Sequence, residues 1–542
     1  MIWVNKLRIQ NYKCFRDFEV ELNEGISIIV GNNDEGKSTI LEALQLALSG
    51  MLNGRTLFTD INESLFNKDV VDEYIQSLRT TDKKPQPTIL IEVFLKGDNL
   101  AKFEGDGNTY KTKNCGLAFK ISFNNQYNEE YNALIKNGEV KSLPVEYYKI
   151  DRYTFAREAV TNRSIPLKSV LIDSSSVRFQ NGSDVYISKI IKDNLDEKEI
   201  AALAQSFRKL KEDFGETKAI EAINQKVSRN AGISMKKVTV AVDMSVKNSW
   251  ETVLMTYIDD IPFHQVGKGE QCLIKTNLAL AHKKAQTSNL LLIEEPENHL
   301  SHTRLNELLE TITSKCEDKQ LIITTHSNFV ANKLSLKNLI LLSSQKTTRF
   351  MDLSGDDAEF FQKLPGYDTL RLILAKSAIL VEGPSDELIV QRAFKERYGT
   401  LPIQQGIDVI SVRGLSFKRF LEIAKRVNKK VAVVTDNDGK YEQKIKEKYK
   451  DYESVVCIKV CASDNNSLKT LEPQFARANN SFLSELRTVL NIKETDYPTE
   501  KDVSDYMETN KTYWALSVFV TDKSFCYPDY IESAIAWVYE GE

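Results

Sequence analysis

Hydrophobic and polar positions alternate along this chain in two stretches that are typical of α/β units. Near the N-terminus, the apolar run Ile26 to Val30 precedes a glycine-containing loop, and residues 39–48 then carry leucine and isoleucine at helical spacing. After residue 375 a second α/β pattern begins. It predicts strand 377–381, helix 385–397, strand 407–411, helix 416–427 and strand 430–435, followed by helices at 478–490 and 511–519. Two α/β units in series are therefore predicted.

The region between these two patterns is more mixed. Residues 89–95 form a largely apolar run that predicts a strand, whereas residues 187–229 are charged and have helical spacing. The apolar runs 290–293 and 321–324 predict two further strands around a helix at 305–312. We predict a first unit at 1–345 with a mainly helical insertion at about 150–250, a polar connector at 346–374 and a second unit at 375–542. The helical insertion is a candidate region for dimerisation or partner binding, and an ordinary packed insertion is an equally open interpretation.

Composition and charge are those expected of a globular protein in solution. Hydrophobic residues make up 42% and charged residues 27% of the 542 residues, and no apolar run approaches the roughly 20 residues that cross a bilayer. The N-terminal sequence lacks the apolar core and cleavage site of a signal peptide. The seven cysteines have no paired zinc spacing, so we expect reduced thiols and a cytoplasmic location without membrane association. The net charge of −4 means that any DNA-binding surface must be a local patch.

The first α/β pattern contains a nucleotide-binding loop. Residues 31–38, Gly-Asn-Asn-Asp-Glu-Gly-Lys-Ser, fit the P-loop pattern between a predicted strand and a predicted helix, a context that a chance glycine turn does not explain. Small residues let backbone N–H groups converge on phosphate oxygens, and the helix N-terminus adds a favourable dipole. Lys37 is expected to reach the β- and γ-phosphates of ATP, and the Ser38 hydroxyl to bind Mg²⁺. The expected ATP-binding residues are Gly31, Asn32, Asn33, Gly36, Lys37, Ser38 and Thr39.

Two acidic residues follow the buried run at 290–293. Glu294 is expected to hold Mg²⁺ at the nucleotide site, and Glu295 is expected to orient the attacking water. Many ABC-type ATPases carry aspartate at the first of these positions, so Glu294 is a departure from the common pattern. A solvated strand edge is the alternative interpretation, and the apolar run before the pair disfavours it.

Further segments complete the resemblance to the ABC ATPase fold. Gly267, Gly269 and Gln271 precede a helix and resemble the signature loop, which offers a helix N-terminus to the γ-phosphate bound by a partner subunit. His326, at the end of a strand, resembles the switch histidine that senses the γ-phosphate. Residues 296–300 resemble the loop that meets the opposing subunit. Because such ATPases complete each site across a dimer, the resemblance implies a homodimer or a higher homo-oligomer.

The second α/β pattern places carboxylates at the ends of two predicted strands. Glu382 follows the strand 377–381, and Asp436 and Asp438 follow the strand 430–435. Three like charges in one place are costly unless a divalent cation neutralises them, and hard oxygen ligands favour Mg²⁺ or Mn²⁺. Taken singly, Glu382 would be a helix cap and the two aspartates a turn. Together they resemble the Toprim pattern shared by topoisomerases, primases and some nucleases.

A narrower resemblance covers most of the chain. The segments LPGYDTLRLILAKSAILVEGPSDE, ISVRGLSFKRFLEIAKR, SLKTLEPQF and NKTYWAL resemble successive blocks of OLD (overcoming lysogenization defect) nucleases, and residues 55–250 match least. The resemblance implies that Glu382, Asp436 and Asp438 bind a first metal and that Asp386 and Glu472 help with a second. It also implies that Lys511 stabilises the charged transition state. Without the resemblance, Lys511 would be a surface lysine and Glu472 a helix-cap residue.

A basic stretch lies close in sequence to these acids. Its usual meaning is a solvated helix face, but its position makes it a candidate for binding the DNA backbone. Its residues are Arg413, Lys418, Arg419, Lys425, Arg426, Lys429, Lys430, Lys444, Lys446, Lys448 and Lys450.

The sequence therefore predicts an ATP-binding and ATP-hydrolysing, divalent-metal-dependent DNA endonuclease. The resemblance also implies a role in bacterial defence against bacteriophage, with a defence-system protein or nucleoprotein as a further partner. One alternative stays open: an ATP-driven DNA-repair switch or clamp whose Toprim domain binds DNA without cutting it. A primase or topoisomerase is disfavoured, because no zinc-ribbon cysteines and no second catalytic domain with a strand-cleaving tyrosine are present. The missing coiled coil argues against a long-armed tethering ATPase.

Overall fold

The structure, a computed structural model, shows two compact units. It describes the chain apart from residues 53–54, 58–60, 137, 139, 174–178, 181–182, 185–194, 231–238, 245–249, 251–254, 282–286, 317, 344, 351–358, 360–367, 413–416 and 541–542. Arg413 of the basic stretch and most of the predicted connector lie outside the described residues. The first unit comprises residues 1–29, 33–325 and 344–346, and the second comprises residues 30–32, 326–343 and 347–542. The boundary after residue 345 stays a prediction.

The first unit is built around an antiparallel sheet and a parallel sheet. The antiparallel sheet has the order β2-β1-β4-β5-β6, and the parallel sheet contains the neighbours β7-β8-β9-β3. The strands are β1 (Trp3–Tyr12), β2 (Phe15–Glu21), β3 (Ile26–Val30), β4 (Ile89–Lys96), β5 (Asn114–Phe123), β6 (Tyr148–Thr154), β7 (Ser169–Asp173), β8 (Leu290–Glu294) and β9 (Gln320–Thr325). The predicted strands at 89–95, 290–293 and 321–324 are confirmed.

The parallel strands of the first unit are buried along almost their whole length. Residues 290–293 of β8 and all of β9 are buried, as expected for strands whose two faces are both covered. The register sets Asp173, Glu294 and Thr324 side by side where β7, β8 and β9 end. Because parallel strands end at one edge of a sheet, the polar residues that follow β8 and β9 are brought to that edge.

The first unit also contains helices, some of which pack on these sheets and some of which are largely exposed. They are α1 (Lys37–Ser49), α2 (Lys68–Ser77), α3 (Asn128–Lys136), α4 (Glu197–Gly215), α5 (Lys218–Asn230), α6 (Lys268–Ala281) and α7 (His302–Lys315). The described part of the predicted insertion at 150–250 differs from the expectation, because it begins with the end of β6 and with β7 and is helical only from residue 197 onwards. A capping box starts α4, in which Asp196 and Glu199 each accept a backbone N–H at 2.8 Å.

The later part of the chain contains a four-stranded parallel sheet with the order β13-β12-β14-β15. From residue 328 onwards the helices and strands are α8 (Asn328–Lys333), β10 (Leu339–Ser343), β11 (Lys346–Arg349), α9 (Thr369–Leu374), β12 (Ser377–Val381), α10 (Pro384–Tyr398), β13 (Ile407–Ser411), α11 (Phe417–Arg426), β14 (Lys430–Val434), β15 (Ile458–Cys461), α12 (Leu471–Ala478), α13 (Leu483–Leu490), α14 (Glu500–Thr509), α15 (Lys511–Val520) and α16 (Asp529–Glu540). Of these strands, β10 and β11 are not part of the four-stranded sheet. The alternation predicted from residue 377 onwards is confirmed.

The helix predicted at 478–490 is observed in a different form. It is the helix α13, and the turn Asn480–Phe482 separates it from α12. The physical reason is Asn479, which is fully buried. Its side-chain amide donates to the carbonyl of Phe475 at 2.9 Å and to that of Cys526 at 2.8 Å, so it competes with helix continuation. In the described part of the chain, no helix has the length and apolar character needed to cross a membrane.

Candidate functional site

The nucleotide-binding loop joins β3 to α1, as predicted. Gly36 precedes the helix with a φ of 101°, which an L side chain rarely adopts. A Cβ atom at this position would lie 2.7 Å from the Cys14 sulfur and 2.5 Å from the Phe15 ring. At Gly31 a Cβ atom would lie 2.7 Å from the carbonyl oxygen of Leu342. Both glycines are therefore required sterically at the two ends of the loop.

Lys37 lies at the start of α1 and is only 6% exposed. Burial lowers the pKa of its ammonium group, and the negative charge of Glu295 is the largest of the influences that oppose this shift. The lysine is thus desolvated and lies close to the acid that the sequence predicts to act in hydrolysis. A phosphate group would supply the negative charge that a buried lysine needs.

Ser38 and Glu294 are hydrogen-bonded to one another through their side chains. Burial raises the pKa of the Glu294 carboxyl group, the hydrogen bond from Ser38 opposes the shift, and the negative charge of Asp173 adds to it. These are the two residues that the sequence assigns to Mg²⁺ at the nucleotide site. The structure therefore brings together a hydroxyl and a carboxylate that are suited to a hard cation.

Glu295 begins the loop that follows β8, with a φ of 39°. Its N–H group donates to the carbonyl of Thr324 at 3.0 Å, and its carboxylate accepts from the Asn298 side chain at 3.0 Å. The Thr325 hydroxyl donates to Glu297 at 2.6 Å, so the loop is anchored at the end of β9. His326 is the residue that directly follows β9. The catalytic roles of Glu295 and His326 stay predictions.

The signature-like loop leads into α6, which begins at Lys268. A Cβ atom at Gly269 would lie 2.5 Å from the carbonyl oxygen of His299, so glycine permits a close backbone approach there, whereas the space around Gly267 is open. Gln271 is buried and donates to the carbonyls of Phe263 at 2.9 Å and Val266 at 2.7 Å. In this structure Gln271 therefore fixes the turn before the helix. Contact of this loop with a partner subunit's nucleotide stays a prediction.

The second site lies at the carboxyl ends of β12 and β14, where the strand order β13-β12-β14-β15 changes direction along the chain. Such a switch point is where α/β sheets commonly bind ligands. Glu382 directly follows β12, and its carboxylate accepts from the Thr435 hydroxyl at 2.5 Å and from the Asp436 N–H group at 3.0 Å. Glu382 and Asp436 are thereby brought together as the sequence predicts.

Asp436 is the most strongly perturbed acid of this site. Burial raises the pKa of its carboxyl group to about 9, and the negative charges of Asp386, Glu382, Glu472 and Asp438 add to the shift. Its Oδ1 atom is buried and has no hydrogen-bond partner among the described residues. A buried carboxylate oxygen without a protein partner is rare, and a role as a cation ligand accounts for it.

Asp386 and Glu472 approach the same place from two helix N-termini. Asp386 lies in the first turn of α10 and accepts from the Gly383 N–H group at 3.1 Å. Burial raises the pKa of its carboxyl group to about 7, and the charges of Glu382 and Glu472 contribute. Glu472 is only 3% exposed in the first turn of α12. The two residues assigned to the second metal by resemblance therefore belong to the same acidic cluster.

Asp438 is half-exposed at the edge of the cluster and forms an ion pair with Lys444 at 3.1 Å. Between the two aspartates, Asn437 is fully buried and holds the loop by donating to the carbonyls of Ser463 at 2.8 Å and Asn465 at 3.0 Å. The loop that carries the two aspartates is therefore anchored by the hydrogen bonds of Asn437 to the segment 463–465.

The acidic cluster has the donor chemistry of a divalent-cation site. Its oxygen ligands repel one another, and one buried oxygen is unsatisfied. Within the described residues, no group of three His, Cys, Asp or Glu side chains is already gathered around one point. Asp438 contacts Lys444, whereas Glu382 is held by the Thr435 hydroxyl and the Asp436 N–H group. A cation held by all three acids would therefore require Asp438 to turn away from Lys444.

Positively charged residues adjoin the cluster. Partial desolvation lowers the pKa of the Lys448 ammonium group, and the positive charges of Lys444 and Lys418 add to the shift. The negative charges of Glu382 and Asp438 oppose it. Part of the basic stretch predicted from the sequence, Lys418, Lys444 and Lys448, is thus gathered beside the acids.

Lys511 does not take part in these contacts. It is the exposed first residue of α15, and among the described residues no ion pair joins it to the acidic cluster. The sequence did not single out Thr435, Asn437 or the buried Tyr530, which also belong to the site. Asn437 lies inside the Asp-Asn-Asp segment and could have been found from its position, whereas nothing near Tyr530 in the sequence points to the acids.

Comparison with known protein families agrees with this geometry. The AAA ATPase domain family matches residues 3–331, which is more than half of the chain. The overcoming lysogenization defect protein-like TOPRIM domain matches residues 373–438, which include Glu382, Asp386, Asp436 and Asp438. This chain belongs to the OLD family of ATPase–Toprim proteins. The predicted order, an ABC-type ATPase followed by a Toprim domain, is confirmed.

Individual relatives of this OLD-family protein match parts of it. The DNA double-strand break repair Rad50 ATPase of Thermoplasma acidophilum is 28% identical over 26% of the chain, which spans only 16% of that relative. The ATP/GTP phosphatase of Helicobacter pylori is 22% identical over 60% of the chain and 85% of the relative. Among solved structures, the C-terminal region of the Burkholderia pseudomallei OLD protein is 20% identical, covers 31% of this chain and 98% of that one, and has a TM-score of 0.25.

Proposed function

We propose that this OLD-family protein is an ATP-binding and ATP-hydrolysing, divalent-metal-dependent DNA endonuclease. The acidic cluster carries this proposal: carboxylates from three segments of the second unit lie close enough to act electrostatically on Asp436, and the buried Asp436 Oδ1 atom has no partner among the described residues. A module that only binds DNA gains nothing from buried like charges, because they repel the phosphate backbone. A module that cuts DNA needs them as ligands.

In this proposal Glu382, Asp436 and Asp438 hold one Mg²⁺ or Mn²⁺ ion, and Asp386 and Glu472 help to hold a second. Bound there, the cations would supply Lewis acidity at the scissile phosphate and neutralise its developing charge. The protein's own residues orient the site. Thr435 and the Asp436 N–H group hold Glu382, and Asn437 fixes the loop beneath the two aspartates.

The lysines beside the cluster are proposed to bind the DNA backbone. Lys418, Lys444 and Lys448 form a local positive group in a protein whose net charge is −4, and contact with the DNA backbone is proposed to use this patch. When Asp438 turns towards a cation, Lys444 loses its present carboxylate partner and becomes available to a phosphate. Transition-state stabilisation by Lys511 stays part of the proposal, on the family resemblance alone.

The first unit is proposed to use ATP as a control. Lys37 binds the phosphates, Ser38 and Glu294 hold the accompanying Mg²⁺, and Glu295 orients the attacking water. His326 is proposed to sense the γ-phosphate, and the loop with Gly267 and Gly269 to meet the nucleotide of a second subunit in a homodimer. Nucleotide-dependent dimerisation would then switch DNA cutting on or off.

The competing function is an ATP-driven DNA-repair switch or clamp. Two observations favour it: Asp438 is engaged by Lys444, and the Thermoplasma relative is a DNA-repair ATPase. Plasmid cleavage separates the two functions. Nicked or linear DNA that requires a divalent cation supports the nuclease, whereas DNA binding and ATP hydrolysis without any cleavage support the clamp.

A role in bacteriophage defence and a cytoplasmic location complete the proposal. They rest on the family resemblance, and a defence-system partner protein or nucleoprotein is proposed on the same ground. Bacteria that express the protein should survive phage challenge better than bacteria that express an Asp436→Ala variant. Equal survival of both strains would show that the acidic cluster is not needed for defence, which contradicts this part of the proposal.

A further inference from the structure

A buried tyrosine in the helix α16 is an electrostatic neighbour of the acidic cluster. Tyr530 is the second residue of α16, and this helix packs on β12 and β14, the two strands that end in Glu382 and Asp436. The Tyr530 side chain is only 7% exposed. Its electrostatic neighbours are, in descending order, Asp436, Asp386, Glu472 and Glu382.

The hydroxyl group of Tyr530 has no hydrogen-bond partner among the described residues, and neither has the Oδ1 atom of Asp436. One group is a donor and the other an acceptor, and both are buried at the same end of the sheet. Leaving either of them unsatisfied costs free energy, so the pair requires an explanation. Burial and the surrounding negative charges raise the pKa of the Tyr530 hydroxyl well above its usual value, which keeps it protonated as a donor.

We propose that Tyr530 is a positioning residue of the carboxylate site, and that its hydroxyl donates to Asp436 when this carboxylate holds a divalent cation. The inference rests on the proposed metal site and extends it to a residue outside the Toprim motifs. In metal-binding sites, donors behind the ligands fix the ligand orientation, and their loss typically lowers metal affinity about 10–100-fold. The buried position also excludes Tyr530 as a nucleophile, because a duplex phosphate cannot reach it.

The test compares Mn²⁺ binding by the full chain, by Tyr530→Phe and by Tyr527→Phe. The control residue Tyr527 is also buried, but its charged neighbours are Glu396 and Arg392 rather than the acidic cluster. Titration of free Mn²⁺ by electron paramagnetic resonance should show about tenfold weaker binding for Tyr530→Phe and no change for Tyr527→Phe. Equal affinities for the wild type and Tyr530→Phe would overturn the proposal.

A second measurement keeps the proposal testable if Tyr530→Phe folds poorly. Addition of Mg²⁺ to the wild type should change the near-ultraviolet tyrosine absorbance, because the Tyr530 hydroxyl acquires an ionised acceptor. The same change should persist in Tyr527→Phe and vanish in Asp436→Asn. A wild type that binds no cation at all would reject the metal site itself, whereas cation binding without the tyrosine signal would reject only the role of Tyr530.

Discussion

The carboxylate of Glu382 accepts a hydrogen bond from the backbone N–H group of Asp436 at 3.0 Å. The two residues are far apart in the sequence and end two neighbouring strands, so this contact joins β12 to the loop after β14. The same carboxylate accepts from the Thr435 hydroxyl. Glu382 is therefore both a support for the Asp436 loop and a proposed metal ligand.

This dual position gives a prediction for Glu382→Gln. The amide oxygen can still accept from Asp436, so the loop should keep its place, but the negative charge that a cation needs is lost. We expect DNA cleavage to fall at least about 100-fold and Mg²⁺ affinity about 10-fold, with ATP hydrolysis unchanged. Glu485→Gln, on the exposed face of α13, is the matched control. Cleavage at the wild-type rate by Glu382→Gln would show that Glu382 is not a required metal ligand.

The raised pKa of Asp436 predicts a pH-dependent stability difference. A carboxyl group with a pKa of about 9 in the folded state and an ordinary value of 3.8 in the unfolded state binds a proton on folding between these limits. Its contribution to stability is therefore present at low pH and is lost as the pH rises towards 9. Asp436→Asn removes this dependence, so without metal it should be more stable than the wild type at pH 8, by more than about 1.4 kcal/mol, the free energy that corresponds to one pKa unit.

Thermal unfolding in chelator, followed by tryptophan fluorescence at a series of pH values, measures this difference. The gap between Asp436→Asn and the wild type should widen as the pH rises from about 4 to about 9. Addition of Mg²⁺ should raise the melting temperature of the wild type alone, because the variant lacks the ligand charge. A gap that stays constant over the whole pH range would contradict the raised pKa.

The nucleotide site gives a separate prediction for Glu295→Gln. The glutamine keeps the acceptor for Asn298 but cannot orient and deprotonate water, so hydrolysis should fall about 100-fold. ATP affinity should stay within about twofold of the wild type, because the proposed phosphate contacts belong to Lys37 and the loop. Phosphate release and fluorescent-nucleotide binding measure the two quantities. Glu197→Gln, at the exposed start of α4, is the control. Hydrolysis by Glu295→Gln at the wild-type rate would show that another residue orients the attacking water.

The lysine group predicts how DNA binding responds to salt. Each phosphate contact contributes roughly 0.9 to the slope of log affinity against log salt on duplex DNA. Reversing the charge at both Lys418 and Lys448 should therefore reduce that slope by about two and weaken binding at low salt. Reversing Lys209 and Lys501, exposed lysines on α4 and α14, should leave the slope unchanged. Binding would be titrated by fluorescence anisotropy in chelator, and a slope equal to that of the wild type would exclude this patch.

Much of the site follows from local sequence signals, because its acids stand directly after buried apolar runs. Glu294, Glu382 and Asp436 were predictable in this way, since parallel strands end at one edge of a sheet. Tyr530 was not, because its place depends on the packing of α16 against β14 nearly a hundred residues earlier. The ion pair of Lys444 with Asp438 was equally inaccessible, since a run of lysines does not reveal which one faces an acid. Gln271 is the opposite case, because its motif is recognisable in the sequence but the sequence does not reveal its contacts. In the structure its side chain donates to the carbonyls of Phe263 and Val266, in the turn before its own helix.

Cleavage of supercoiled plasmid tests the central claim most directly. The wild type, Asp436→Ala/Asp438→Ala and the control Asp451→Ala/Asp464→Ala would be incubated with Mg²⁺, Mn²⁺ or chelator, each with and without ATP. We predict nicked and linear DNA from the wild type and the control only when a cation is present, and none from Asp436→Ala/Asp438→Ala although it still hydrolyses ATP. Cation-dependent cleavage by that variant at the wild-type rate, or intact plasmid in every wild-type lane despite ATP hydrolysis, would contradict the assignment of the acidic cluster as a nuclease centre.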